Sequence, residues 1–252
     1  MAPPVKHPRQ VKSFTRRGGR IPARLQRTVD EHAGRFLITP KRGESIVSIT
    51  DPVDLSDHFD TDAPLTVEIG SGGGDQIVHA AATHPDRTYL AMDVWWPGIA
   101  QMIARAVKAD VTNLRVMYVD AVDALPLLFG PNPKPVEVWT FFPDPWPKAR
   151  HHKRRLVTPD FASLVSTVLK PGGTWRLATD WADYAWQMRD AVNVDGLTNI
   201  HAGERPDPND PEEAGLSGGF APRWEGRITT RFENRGIREG RSIYDLTVIS
   251  DG

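Results

Sequence analysis

At 252 residues, with 39% hydrophobic and 25% charged positions, the chain can bury one sizeable core, and no apolar run is long enough for a membrane helix. Its start, MAPPVKHPRQ, lacks the apolar centre of a secretion signal, so a soluble, cytoplasmic protein without membrane attachment is expected. The absence of cysteine excludes disulfides, thiolate zinc sites, cysteine-ligated iron–sulfur clusters and covalent thiolate adducts, while the net charge of −1 hides a balance of +9 over residues 1–42 against −10 over the rest.

A basic stretch ahead of an acidic body suggests a polyanionic partner, although a solubilising tail has the same composition. Residues 1–60 read as this basic arm plus a connecting segment, and residues 61–252 as the domain proper. From Leu65 onward apolar runs alternate with helical patterns, as a doubly wound α/β domain requires. Strands are predicted over Leu65 to Ile69, Thr88 to Met92, Leu114 to Val119, Val136 to Phe142 and Thr174 to Thr179. Helices fit over Asp75 to Thr83, Pro97 to Lys108 and Pro159 to Leu169, the last capped by Thr158 and stopped by Lys170-Pro171-Gly172-Gly173. After Asp180, a candidate N-cap, Trp181, Tyr184, Ala185, Met188 and Val192 recur at helical spacing. Residues 201–222 combine proline, glycine and acids without periodicity and read as a long surface loop, whereas SIYDLTVI within 241–250 reads as a closing strand.

The first strand runs into Glu68-Ile69-Gly70-Ser71-Gly72-Gly73-Gly74, whose glycines permit tight turning beside a ligand. A dinucleotide fingerprint starting at Gly70 would need glycine where Asp75 stands, so a nicotinamide cofactor is disfavoured but stays open. Acids recur at strand ends, Glu68, Asp93, Asp120 and Asp144, at intervals of 25, 27 and 24 residues, each one strand–helix unit long. In a parallel sheet these positions converge on the carboxyl edge, where ligands bind. Clustered carboxylates favour a cationic, hydroxyl-rich ligand over a diphosphate, and S-adenosylmethionine fits. Asp93 would accept from its ribose hydroxyls and Asp120 from its adenine amine, with Glu68 near the methionine moiety. No metal is called for.

The fourth strand ends in Phe141-Phe142-Pro143-Asp144-Pro145-Trp146-Pro147-Lys148, where prolines restrict Asp144 and preorganise its carboxylate. Lys148-Ala149-Arg150-His151-His152-Lys153-Arg154-Arg155 follows, a patch suited to phosphates and by itself unspecific.

With SFTRRGGR (Ser13 to Arg20), VEIGSGGG (Val67 to Gly74), FFPDPWPKARHHKRR (Phe141 to Arg155), TDW (Thr179 to Trp181) and TRFENRG (Thr230 to Gly236), the sequence resembles the bacterial tRNA (guanine-N7-)-methyltransferase family over most of its length. The resemblance implies a mostly parallel, seven-stranded Rossmann-like methyltransferase sheet with an antiparallel last strand, preceded by the basic arm. It implies cofactor contacts at Glu68, Gly70, Gly72, Gly74, Asp93, Asp120, Ala121 and Asp144, with Asp144 also catalytic. Substrate contacts are implied at Lys148, Asp180, Thr230, Arg231, Phe232 and Glu233, and RNA contacts at Arg150, His151, His152, Lys153, Arg154 and Arg155 together with Arg16, Arg17 and Arg20. The family converts S-adenosylmethionine to S-adenosylhomocysteine while methylating the variable-loop guanine at position 46 of tRNA. No obligate protein partner is evident, and monomer and homodimer are both compatible. A methyltransferase acting on another RNA, or a noncatalytic RNA-binding member of the fold, are the competing readings. The sequence departs from the family pattern at Asp93, where glutamate is common, at Pro147, which replaces a frequent histidine, and in an enlarged 201–222 loop.

Overall fold

The structure, a computed structural model, describes residues 21–59, 62–130, 132–202 and 218–252. The arm's Arg16, Arg17 and Arg20, and most of the 201–222 loop, lie outside the described residues.

Strands β2 (Leu65–Ile69) and β3 (Thr88–Asp93) are nearly continuous buried runs, as strands covered on both faces must be. They pair in parallel with Val67 opposite Leu90, and β4 (Leu114–Tyr118) extends the sheet beyond β3. On the other side of β2 lie β5 (Glu137–Phe141) and β6 (Thr174–Thr179), also parallel. The chain thus reverses its direction of strand addition at β2, and β2 and β5 flank the crevice that such a reversal opens. A closing strand, β8 (Tyr244–Ser250), runs antiparallel to β6, with Leu246 opposite Leu177, and the short β7 (Leu197–Asn199) pairs beyond it.

The expected doubly wound sheet is present, with one strand more than seven among the described residues, because β1 (Leu37–Ile38) pairs in parallel beside β4 to give the order β1-β4-β3-β2-β5-β6-β8-β7. The two residues of β1 follow α1 (Ala23–Phe36), a helix inside the segment whose composition suggested an arm. It packs on α3 (Trp96–Lys108) and β4 through its apolar stripe, with Phe36 fully buried. Burying such a side chain is worth roughly 1.5–3 kcal/mol. With α2 (Asp75–Thr83), these helices cover one sheet face over a core of Ile77, Ile99, Met102, Ile103 and Leu114. The other face is covered by α4 (Ala121–Phe129), α5 (Pro159–Val168) and α6 (Ala182–Ala191), around Leu125, Phe161, Trp175, Tyr184 and Leu246.

Thr158 caps α5 as its position ahead of Pro159 predicts, accepting from the Phe161 N–H at 3.2 Å. Asp180 does not cap α6. The N-cap there is Trp181, and Asp180 turns instead to Arg241, 2.9 Å away. Thr230 begins α7 (Arg231–Arg238), a helix absent from the sequence reading although T-x-x-E at Thr230 and Glu233 has the capping-box spacing. Among the described residues no helix is long and apolar enough to cross a membrane.

Candidate active site

The turn after β2 is built for close approach. Gly70, Gly72 and Gly74 all have positive φ, and a Cβ on Gly74 would lie 2.2 Å from Met102 Cγ. Helix α3 closes on the same turn, so that a Cβ on Gly98 would meet the Gly72 carbonyl oxygen at 2.6 Å. The turn is tied to β3 by the Asp93 carboxylate, which accepts from the Gly72 N–H at 2.6 Å through one oxygen and from the Trp95 N–H at 2.7 Å through the other. Asp93 therefore shapes the loop first; each oxygen keeps a second lone pair for a ligand hydroxyl.

Around this turn opens a cleft of about 280 Å³, lined by Glu68, Asp93, Trp95, Phe142, Asp144 and Phe232 among others. It sits at the carboxyl ends of β2, β3 and β5. A larger apolar cavity of about 370 Å³ lies at the opposite sheet edge, by Leu55, Phe59 and Leu65, remote from these acids.

Burial sets the electrostatics of the cleft. Glu68 is 4% exposed, and desolvation, reinforced by Asp93 and Asp75, pushes its carboxyl from 4.5 up to about 8. Its Oε2 has no hydrogen-bond partner among the described residues. Burial also raises Asp93, to about 6, against backbone hydrogen bonds that lower it and with Asp144 adding repulsion. A buried pair of carboxyls with an unmet oxygen is a site for a cation or a donor-rich ligand.

Asp144 stands at the lip of this cleft, solvent-exposed, in a loop whose backbone is strained on both sides. Phe142 and Trp146 have φ of 51° and 45°, a region that side-chain-bearing residues enter at a cost of about 1–3 kcal/mol each. Contacts offset that cost: the Phe142 N–H donates to the Ala178 carbonyl at 2.7 Å, Arg227 lies 5.5 Å from the Phe142 ring, and Arg154 lies 5.1 Å from the Trp146 ring. The basic run then forms a 3-10 helix over Ala149–Arg154. Lys148, Arg150 and Lys153 are exposed, and His151 packs edge-on against Trp146. Desolvation, with Arg150 and Arg154 close by, holds the His151 imidazole below its usual value.

A family model described as a putative methyltransferase matches residues 62–246. A tRNA (guanine-N(7)-)-methyltransferase of Cutibacterium acnes is 44% identical, covering 95% of this chain and 83% of its own, and one of an Arthrobacter species is 40% identical over 93% and 84%. The chain belongs to the tRNA (guanine-N7-)-methyltransferase family. A crystal structure of the 16S rRNA methyltransferase KamB, 17% identical, superposes with a TM-score of 0.52 over 84% of this chain and 100% of the other, a likeness of fold.

Of the residues that the methyltransferase motifs single out, the cleft gathers Glu68, Gly70, Gly72, Asp93, Asp144, Thr230 and Phe232. Gly74 is the buried N-cap of α2, behind the cleft. Asp120 and Ala121 are not part of its lining, and Asp120 caps α4 by accepting from the Val122 N–H at 3.1 Å. Lys148 and Arg231 are exposed outside it. Two acids expected to face the substrate are engaged within the protein. Asp180 holds Arg241, and Glu233, 1% exposed, is paired to Arg227 at 2.8 Å and to Arg223. Arg155, expected among the RNA contacts, is 3% exposed and turned inward onto the Pro145 carbonyl.

Sequence reasoning missed Arg227 and Gln76. Arg227 lines the cleft and grips Asp245 of β8 at 2.7 and 2.9 Å. Gln76, buried in α2, accepts from the Ile228 N–H and donates to the Gly226 carbonyl, both at 2.8 Å. Together they join the glycine turn to the segment leading into α7. No local motif marks either residue, because Arg227 grips Asp245 across 18 positions and Gln76 reaches Gly226 across 150.

The cleft suits S-adenosylmethionine. Glu68, with its unmet buried oxygen, would face a cationic methionine end, Asp93 would face ribose hydroxyls, and open space over Gly70 and Gly72 would admit the ligand against the backbone. Between 4.5 and about 8 the native protein holds a Glu68 proton that the unfolded chain has released, so stability falls as pH rises through that window. Glu68→Gln is expected to reduce that fall in thermal denaturation followed from about pH 5 to about pH 9, leaving the part due to Asp93, and to weaken cofactor binding. An unchanged pH slope would count against a buried, protonated Glu68.

Proposed function

We propose that this protein transfers the methyl group of S-adenosylmethionine to N7 of the variable-loop guanine, position 46, of tRNA, leaving S-adenosylhomocysteine. The observation that carries the reading is the placement of the Asp144 loop: it shares one cleft with the glycine turn, Glu68 and Asp93, and continues directly into an exposed basic turn. Residues 61–252 are assigned the catalytic domain, with the basic arm of residues 1–60 joined to its sheet edge through α1 and β1.

The cofactor supplies an electrophilic methyl on a sulfonium. Guanine N7 has a lone pair and no proton, so the protein's task is alignment and charge stabilisation more than proton removal. Glu68 and Asp93 hold the cofactor at the β2 and β3 ends. Asp144 faces the purine, on which positive charge develops, and orients its N–H edge. Thr230 and Phe232 form the far wall of the cleft, with the exposed Phe232 ring offering a stacking surface to the base. Asp180 and Glu233 support this wall through their arginine partners. Lys148, Arg150, His151, Lys153 and Arg154 meet the tRNA backbone, as do Arg16, Arg17 and Arg20 of the arm.

Incubation with methyl-labelled S-adenosylmethionine and unmodified tRNA is expected to yield 7-methylguanosine at position 46. Label at another base, or in another RNA only, would overturn the reading.

A further inference from the structure

Resting on the proposed location of methyl transfer, we infer that Arg155 is a positioning residue for the Asp144 loop: it ties the carbonyl next to Asp144 to helix α6. The Arg155 side chain is 1% exposed. Its Nε donates to the Pro145 carbonyl at 2.8 Å, Nη1 to Gln187 Oε1 at 2.7 Å, and Nη2 to both Asp183 oxygens at 3.0 and 2.8 Å. The guanidinium lies 4.7 Å from the Tyr184 ring centre, whose hydroxyl accepts from the Val157 N–H at 3.0 Å. A cation so enclosed cannot meet a phosphate without abandoning these partners.

What Arg155 holds is specific. Pro143 and Pro145 restrict the backbone on both sides of Asp144, so fixing the Pro145 carbonyl against α6 fixes the exit of the loop. The strained Trp146 follows immediately. Asp183, Tyr184 and Gln187 come from one helix in the rigid core, which makes α6 the reference against which Asp144 is placed. The basic run therefore divides by direction: Lys148, Arg150 and Lys153 point to solvent, while its last arginine points in. His152 stands 3.5 Å from the same Asp183 carboxylate and completes the groups facing it.

Arg155→Lys, Asp183→Asn and the exposed comparator Lys153→Ala separate a pin from a phosphate contact. For Arg155→Lys, kcat at saturating tRNA is expected to fall about 10–100-fold, the range that a displaced reactive geometry produces, with tRNA affinity and its salt dependence as in the wild type. Asp183→Asn, a milder change at a half-exposed position, is expected to fall in the same direction, and the double variant to be no worse than Arg155→Lys alone. Lys153→Ala is expected to weaken tRNA binding and reduce the salt slope by about one. Hydrogen exchange over residues 142–150, which needs no substrate, is expected to accelerate in Arg155→Lys and Asp183→Asn. A reduced salt slope with wild-type kcat in Arg155→Lys would make it a phosphate contact. Lower thermal stability with wild-type kcat per folded molecule, or unchanged exchange over 142–150, would make it merely structural. If the wild type gives no 7-methylguanosine, the functional reading fails, while the exchange measurement still decides the pin.

Discussion

Asp144→Ala is expected to lower kcat for tRNA methylation about 10²–10³-fold, the loss typical of removing one preorganised electrostatic group. The fold should survive, because Asp144 is exposed and surface changes usually stay within about 0.5 kcal/mol. Its backbone will not relax freely, since Phe142 and Trp146 remain locked at positive φ by contacts that do not involve the carboxylate. Asp144→Asn tells charge from hydrogen bonding. If the carboxylate acts by charge, Asn should resemble Ala; if it acts mainly as an acceptor for the guanine edge, Asn should recover part of the rate. Removing Asp144 also removes a repulsion that raises Asp93, so that carboxyl should titrate lower in both variants. Wild-type turnover in Asp144→Ala would remove it from the catalytic role.

The second large effect concerns stability. Arg227→Met should cost about 3–5 kcal/mol, the usual consequence of deleting one partner of a buried ion pair. Asp245, with a side chain 9% exposed, would lose its cation, and Glu233 would be left with Arg223 alone. For a chain of this size that is a fall of roughly 6–20 °C in the unfolding midpoint. Burial already raises the Asp245 carboxyl, and Arg227 is the principal influence pulling it back. In the variant its folded value should rise further above the unfolded one, so the lost stability is present at acid pH and disappears as pH rises. The gap between wild type and variant should therefore widen as pH rises from the acid range. Equal midpoints at the higher pH would show that Asp245 and Glu233 do not depend on this cation.

The parts of the molecule legible in the sequence are those where local pattern and tertiary role coincide. Central strands such as Leu65–Ile69 and Thr174–Thr179 are apolar runs between clear breaks, and their termini match the structure residue for residue. Glu68, Asp93 and Asp144 were recoverable because strand ends in a parallel sheet converge, whatever lies between them. Helix α4 escaped notice because Pro126 sits inside it, a residue that argues against a helix from sequence alone. Charge concealed α1, whose Arg24 and Arg27 are exposed while Phe36 is buried. Arg155 was illegible for a third reason: neighbouring basic residues look alike in a sequence, and only the acceptors on α6 distinguish the one that turns inward. The same holds for Asp180 and Glu233, whose arginine partners are 61 and 6–10 positions away.

The grip of Arg227 on Asp245 has a consequence for how the enzyme is made. The glycine turn, Asp93 and Asp144 all leave the ribosome well before β8, yet β6 has no partner on its outer side until β8 arrives, and Arg227 has no acceptor in Asp245. A nascent chain can collapse its first parallel strands early. It can close the substrate side of its cleft only when Tyr244–Ser250 has been synthesised and threaded between β6 and β7. The substrate side of the cleft therefore depends on the strand that follows every other strand of the described sheet in the chain.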